Sequence, residues 1–288
     1  MTKISTSFLA GMAILGLTGV AQAADMGGPF KAPTVLPPLA DTTASSGWYL
    51  RGDVGIGINR TPKFSSTGPA GIDTNANASW LARDIGDTPF ISAGVGYQFT
   101  DYLRGDITAE YRASTRFRAN ARYPRTPTDV AYPFYDGSLS STVVLANAYA
   151  DLGNYNGLTP YIGAGVGAAY NKLGDTYQHT SFPAYGTYAD GVMGGQGKWN
   201  FAWALHTGVT WDVNSRLKLD MGYSYKSLGS VKSGELRCNE NPNVVRQCNE
   251  WLTLKNLASN DLHIGMRWLL DPPKERVPVY SAPVVAKY

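Results

Sequence analysis

The 288-residue sequence is short of charge, histidine and cysteine, and beyond its N-terminus it lacks any apolar run long enough for a membrane-spanning helix. The last absence excludes an ordinary helical membrane protein. Charged residues make up 16% of the chain and the formal net charge is only +3, which gives a nucleic-acid binder no electrostatic basis. The two cysteines lack further metal ligands nearby, and no cofactor is expected. No stretch shows a 3.6-residue apolar period between helix caps. Glycine (32) and tyrosine (18) are abundant instead.

The N-terminus reads as an export signal. Lys3 supplies the positive charge, Phe8 to Val20 the short apolar stretch, and Ala21-Gln22-Ala23 the cleavage site, so residues 1–23 are expected to be removed. Residues 24–46 and 272–288 are Pro-rich and aperiodic, and are expected to be extended periplasmic segments. Between them lie eight stretches with strand character: 47–59, 88–100, 103–115, 139–152, 159–173, 198–213, 217–229 and 260–271. Their connections alternate. Those at 100–102, 154–158 and 214–216 are tight turns, whereas 60–87, 116–138, 174–197 and 230–259 are long and polar. That rhythm predicts an all-β fold: an eight-stranded antiparallel up-and-down transmembrane β-barrel over 47–271, with four external loops.

Residue size indicates which face points inward. In 199–213 one face is Trp199, Phe201, Trp203, Leu205, Val209, Trp211 and Val213; the other is Asn200, Ala202, Ala204, His206, Gly208, Thr210 and Asp212. Eight strands enclose only enough space for their own side chains, so the bulky apolar set must face outward, where lipid alone can cover it. Trp48, Tyr97, Tyr111, Trp199, Trp211 and Trp268 near strand ends suit interfacial girdles. The stretch STVVLANAYADL is too uniform for its register to be read.

One word occurs twice, Tyr-Leu-Arg-Gly-Asp at Tyr49 and at Tyr102. Strand alternation turns Arg51, Asp53, Arg104, Asp106, Glu110 and Arg112 toward the lumen, with Lys218 and Asp220 repeating the scheme and Arg267 arriving at that height. These residues are expected to form a charge network across the lower lumen, because opposite charges attract strongly in a narrow, partly desolvated interior. Arg-Gly-Asp as an adhesion word needs an exposed loop, which this placement denies it.

The segments GWYLRGDVGIGI (47–58), TPFISAGVGYQFTDYLRGDITAEYR (88–112), LANAYADLG (145–153), TPYIGAGVGAAY (159–170) and DLHIGMRWLL (261–270) resemble the OmpA/OmpX-type family of small eight-stranded outer-membrane proteins, in its surface-antigen branch. The resemblance implies residence in the outer membrane of a Gram-negative bacterium and insertion by the barrel-assembly machinery. Members commonly end on a last-strand aromatic; here Trp268-Leu269-Leu270 is followed by a tail.

The remaining candidates are fewer. His206, His263, Ser224, Asp220 and Glu110 share the lumen and raise a Ser-His-acid hydrolase, which lumenal hydrogen bonding accounts for better. Cys238 and Cys248 in one exported loop are expected to form a disulfide. Arg116 and Arg118 at the outer rim could meet lipopolysaccharide phosphates. Tyr177, His179 and Tyr185 could meet a host or environmental ligand. The expected function is a structural and surface-interaction protein of the envelope with a sealed lumen; a small porin-like channel is the alternative and a lipid-acting enzyme the third reading.

Overall fold

A computed structural model describes residues 47–69, 71–241 and 244–270, with side chains 239–247 left aside. The expected signal peptide and both Pro-rich segments lie outside the described residues. Fourteen strands form one sheet: β1 (Gly47–Asn59), β2 (Lys63–Thr67), β3 (Ser79–Ile85), β4 (Thr88–Gln98), β5 (Leu103–Pro124), β6 (Val130–Asp151), β7 (Leu158–Leu173), β8 (Thr176–Phe182), β9 (Thr187–Met193), β10 (Gly197–Asp212), β11 (Leu217–Lys232), β12 (Leu236–Asn241), β13 (Val244–Gln247) and β14 (Trp251–Leu269). Eight of them pair antiparallel in the closed order β1-β4-β5-β6-β7-β10-β11-β14 and back to β1. Closure leaves no open edge in this ring.

The short turns are built by their own polar residues. The Thr100 hydroxyl accepts from the amides of Tyr102 and Leu103, and the Asn214 side chain accepts from those of Arg216 and Leu217. These side chains stand in for backbone partners and fix the register of the strands they join.

The long connections differ from the sequence expectation. The stretch 60–87 contains β2 and β3, and 174–197 contains β8 and β9. The stretch 116–138 is not a loop, because β5 and β6 run on together beyond the ring to Pro124 and from Val130. The stretch 230–259 contains β12, β13 and the first half of β14. Together they build an external cap with its own apolar core, in which Phe64, Phe117, Tyr135, Leu173, Met193, Leu252 and Leu254 are all nearly inaccessible. The Phe64 ring centroid lies 5.8 Å from Phe117 and 5.7 Å from Trp80. Cys238 and Cys248 are joined by a disulfide and pack against this core.

Barrel and cap are inside-out relative to each other, and β-bulges make the exchange. In β5 the inward residues run Arg104, Asp106, Glu110, Arg112, then shift parity to Thr115, Phe117, Ala119 and Ala121 across a register slip. β11 shifts between Leu228 and Val231, through Gly229 at φ +83°. β14 shifts between Leu254 and Leu257, with Asn256 at φ +58°. A bulge adds one residue to one strand and re-aims every side chain beyond it.

The outward face of the ring carries Val54, Ile91, Ile107, Val166, Leu205, Met221 and Ile264, all at least 43% exposed. Trp48, Tyr111, Trp199, Trp211 and Trp268 stand outward near its ends. The strand that the sequence left unassigned, β6, turns Ser141, Val143, Leu145, Asn147, Tyr149 and Asp151 inward. The lumen is not restricted to small and charged side chains. Tyr49, Phe90, Tyr149 and Tyr161 also point into it. Facing glycines make the room: a Cβ at Gly96 would stand 2.3 Å from the Tyr49 ring, and one at Gly163 would stand 2.5 Å from that of Tyr149.

Ile264 lies opposite Val54 at mid-height of this apolar wall. Ile264→Lys is expected to cost ~2–4 kcal/mol in urea unfolding from lipid vesicles. Asn120→Lys, outward on β5 but in the cap, is expected to change stability by less than ~0.5 kcal/mol. Equal costs would mean that the two positions share a solvent.

Candidate functional site: the lumen and the outer rim

The charged lumen residues form two tiers. In the lower tier, Arg51 Nε donates to Asp53 at 2.8 Å, and its Nη1 reaches Asp106 at 3.2 Å and the Tyr149 hydroxyl at 2.8 Å. Asp106 also accepts from Tyr49 Oη at 3.1 Å and from the Asn147 amide at 2.8 Å. Asp53 accepts from Ser92. Arg267 holds Asp220 at 2.7 Å and donates to Thr210. Arg104, fully buried, donates through Nε to Asp151 at 3.1 Å. Its guanidinium lies between two tyrosine rings, 4.3 Å from the centroid of Tyr149 and 4.7 Å from that of Tyr161. Stacking on ring faces stabilises a cation that no second carboxylate reaches.

In the upper tier, Arg112 donates to Asp261 at 2.7 Å and to Glu110 at 2.9 Å, and its Nη2 donates to Ser259. Lys226 pairs with Glu110 and lies 3.1 Å from Asp261. The tiers hold five cations (Arg51, Arg104, Arg112, Lys226, Arg267) and six carboxylates (Asp53, Asp106, Glu110, Asp151, Asp220, Asp261), so charge is nearly balanced inside the wall.

Most of the residues expected in the network meet there, and register between strands decides which pairs form. Arg104 pairs across the β5–β6 ladder with Asp151, while Asp106, two residues along, is taken by Arg51 from β1. Lys218 departs from the expectation. It is the second residue of β11, stands half-buried at the mouth, and binds Asp212 across the turn at 2.6 Å instead of joining Asp220. Asp151, Lys226 and Asp261 were not singled out from the sequence. The alternation that marks Asp220 as inward marks Lys226 as well, so that signal was present. Asp151 meets its cation across the neighbouring β5–β6 ladder, and Asp261 meets Lys226 from the neighbouring β11 and Arg112 from across the lumen.

Between the tiers the lumen narrows to a cavity of about 30 Å³, lined by Ser92, Thr108, Asn147, His206, Ser224 and His263 among others. That is room for roughly one water molecule. Here the Ser224 hydroxyl lies 2.8 Å from His206 Nδ1, but the other ring nitrogen meets Asn147 at 3.1 Å. Asp220 and Glu110 are engaged by Arg267 and by Arg112 with Lys226. Among the described residues no acid contacts this histidine, and the space beside the serine is about that of one water molecule. At the turn end a vestibule of about 340 Å³ stops at Asp151 and Arg267.

Both copies of Arg-Gly-Asp are buried in this lattice. Arg116 and Arg118 instead follow the bulge in β5 and stand outward, highly exposed, sharing Asp136 at 3.5 Å each. Tyr177 and Tyr185 are exposed on the β8–β9 hairpin, where His179 binds Asp190 at 2.6 Å. Inside the cap, Glu250 accepts from Ser66 at 2.6 Å and from Tyr135 at 2.7 Å and has no ion-pair partner among the described residues, and burial pushes its carboxyl above the usual carboxylate range.

No family model matches the chain. It is 36% identical over 233 residues to an uncharacterised protein of Brucella abortus, covering 74% of this chain and 78% of that one. It is 24% identical over 241 residues to the outer membrane protein PagN of Salmonella typhimurium, covering 82% and 95% of the two chains. A candidate adhesin of Rickettsia conorii matches at 29% over 206 residues, 65% of this chain and 70% of that protein.

Arg267→Leu leaves Asp220 buried without its cation. It is expected to lose ~3–5 kcal/mol in urea unfolding, of which the double variant Arg267→Leu/Asp220→Leu recovers a large part. An unchanged single variant would show that the pair adds nothing. For Glu250 the folded-state value is the raised one, so its contribution is complete at low pH and disappears as pH rises through that value. Hydrogen exchange at Leu252 and Leu254, corrected for intrinsic rate, is expected to show a tighter cap at pH 5 than at pH 8. Glu250→Gln should remove the difference.

Proposed function

The chain belongs to the OmpA/OmpX-type family of small outer-membrane β-barrels, and from that premise we propose that it is a non-conducting surface protein of the outer membrane, with a structural role in the envelope and a rigid external cap for contact. The observation that carries this reading is the double obstruction of its interior. Two tiers of ion pairs cross the lumen, and the apolar cap core stands above them. A hydrated ion entering from the vestibule would have to part Arg267 from Asp220 and Arg104 from Asp151. It would then cross a layer of packed Phe, Leu and Met side chains. Separating buried partners is expensive because each charge is left in a poorly solvating interior.

With the interior closed, contact falls to the outer surface. Arg116 and Arg118 share one carboxylate and keep donors free for the phosphates of lipopolysaccharide. The exposed tyrosines of the β8–β9 hairpin offer flat faces to a host or environmental ligand. A relative described as a candidate adhesin favours such contact. Residues 1–23 act as the export signal, residues 24–46 and 272–288 stay in the periplasm, and the barrel-assembly machinery inserts 47–271.

Planar-bilayer recording on refolded protein is expected to give no steady conductance. A reproducible single-channel level would establish the porin-like alternative instead. Arg116→Ala/Arg118→Ala is expected to weaken lipopolysaccharide binding several-fold, with a shallower salt dependence than the parent protein shows.

A further inference from the structure

A second set of cations lies elsewhere on the outer wall. Lys63 of β2 and Lys255 of β14 are directly opposite partners in an antiparallel ladder, and both are exposed. Directly opposed residues bring their Cβ atoms to within about 4.5–5.5 Å, and like charges so placed are destabilising. Arg60 and Arg83, also exposed, join Lys63 around a groove of about 590 Å³ that continues over Tyr225, Asn256 and Ala258. Among the described residues none of these four cations has an ion-pair partner, unlike Arg116 and Arg118, which share Asp136.

The height of the groove identifies what it meets. On β14 the outward residues run Trp268, Met266, Ile264 and Leu262, then turn polar at Asn260, just below Ala258 and Asn256. On β11, Tyr225 lies opposite Asn260, and Tyr223, opposite Leu262, donates its hydroxyl to Asn260 at 2.7 Å. Aromatic side chains at the end of an apolar wall mark the membrane interface. The groove therefore opens where the headgroups of the outer leaflet begin. Two guanidinium forks and two ammonium groups without carboxylates suit an anion of more than one charge with several acceptor oxygens.

We propose that Arg60, Lys63, Arg83 and Lys255 form a binding site for the phosphate groups of an outer-leaflet lipid. The lipid phosphate lies between the opposed lysines and turns their repulsion into attraction, with its acyl chains directed down the apolar wall of β11 and β14. Arg60, Lys63 and Lys255 lie away from Arg116 and Arg118; Arg83, on β3, sits on the strand that pairs with β5, opposite Ala119, and the site does not require Arg116 or Arg118.

The full-length protein, folded in bicelles, is titrated with lipid A bearing both phosphates and with lipid A bearing none, and its thermal midpoint is followed. The phosphorylated lipid is expected to raise the midpoint and the dephosphorylated lipid to leave it nearly unchanged. Arg60→Gln/Lys63→Gln/Arg83→Gln/Lys255→Gln should weaken apparent affinity for the phosphorylated lipid by about tenfold or more, since each cation at an anionic surface contributes appreciably. Lys255→Gln alone, without lipid, should match or exceed the parent midpoint, because it removes the repulsion while keeping the strand; this separates lost binding from lost folding. Arg116→Ala/Arg118→Ala should keep the phosphate preference. Equal stabilisation by both lipids, an unchanged quadruple variant, inorganic phosphate alone acting as well as the lipid, or a response confined to a sulfated oligosaccharide would each overturn the proposal.

Discussion

Everything in this molecule hangs on closure of an eight-strand ring whose interior its own side chains nearly fill. Inside it, a buried charged side chain meets little water and is stabilised by an opposite charge or an aromatic face within reach. In the lower tier every charge finds such a partner, while both Nη atoms of Arg104 are left without a hydrogen bond. Arg51 serves two carboxylates and a phenol, Arg267 is braced by Thr210, and Arg104 has one carboxylate and two rings. Buried pairs repay their desolvation only with good geometry, so such a lattice fixes register more surely than it adds stability. A slip of one residue in any ring strand would turn its charges into lipid.

The same alternation explains why barrel and cap have opposite insides. Lipid surrounds the ring, so apolar residues face out and polar ones in. Above the interface water surrounds the strands, and the rule reverses. A strand that continues through both environments must change parity where the solvent changes, and β5, β11 and β14 each do so at a bulge. At Gly229 and Asn256 the backbone takes positive φ, which glycine tolerates freely and asparagine better than most residues. The bulge in β5 is also what delivers Arg116 and Arg118 to the outer surface; continued parity would have aimed both into the cap core.

That slip limits what the sequence could disclose. The eight ring strands and the inward face of seven of them were legible, because period-two alternation is local and the size difference between Trp203 and Ala204 is large. The cap was not. Its strands begin where the alternation changes phase, so Arg-Phe-Arg-Ala-Asn-Ala-Arg after Thr115 reads as a polar loop until the phase is restarted at Phe117. The network's members could be named, but not their pairing. Arg104 meets Asp151 and Arg51 meets Asp106 through register between strands 47 and 55 residues apart in sequence. Within the two Arg-Gly-Asp words, Arg51 pairs with Asp53, whereas Arg104 pairs with Asp151 and Asp106 is taken by Arg51.

A barrel filled in this way has little chemistry left to do inside. Its one serine–histidine contact faces an amide, not an acid, and adjoins a space about the size of a water molecule. Polarity in the lumen is spent on itself, every carboxylate of the two tiers being held by a cation of the same lattice. The outer wall is different. Arg60, Lys63, Arg83 and Lys255 are cations without carboxylates, placed where the wall changes from apolar to polar. Two lysines facing each other across a ladder are a local cost that the strand pairing of β2 with β14 must absorb. The interior shows that this chain can compensate buried charge thoroughly. Uncompensated charge at the level of the headgroups is therefore better read as charge whose partner comes from the membrane than as an oversight of packing.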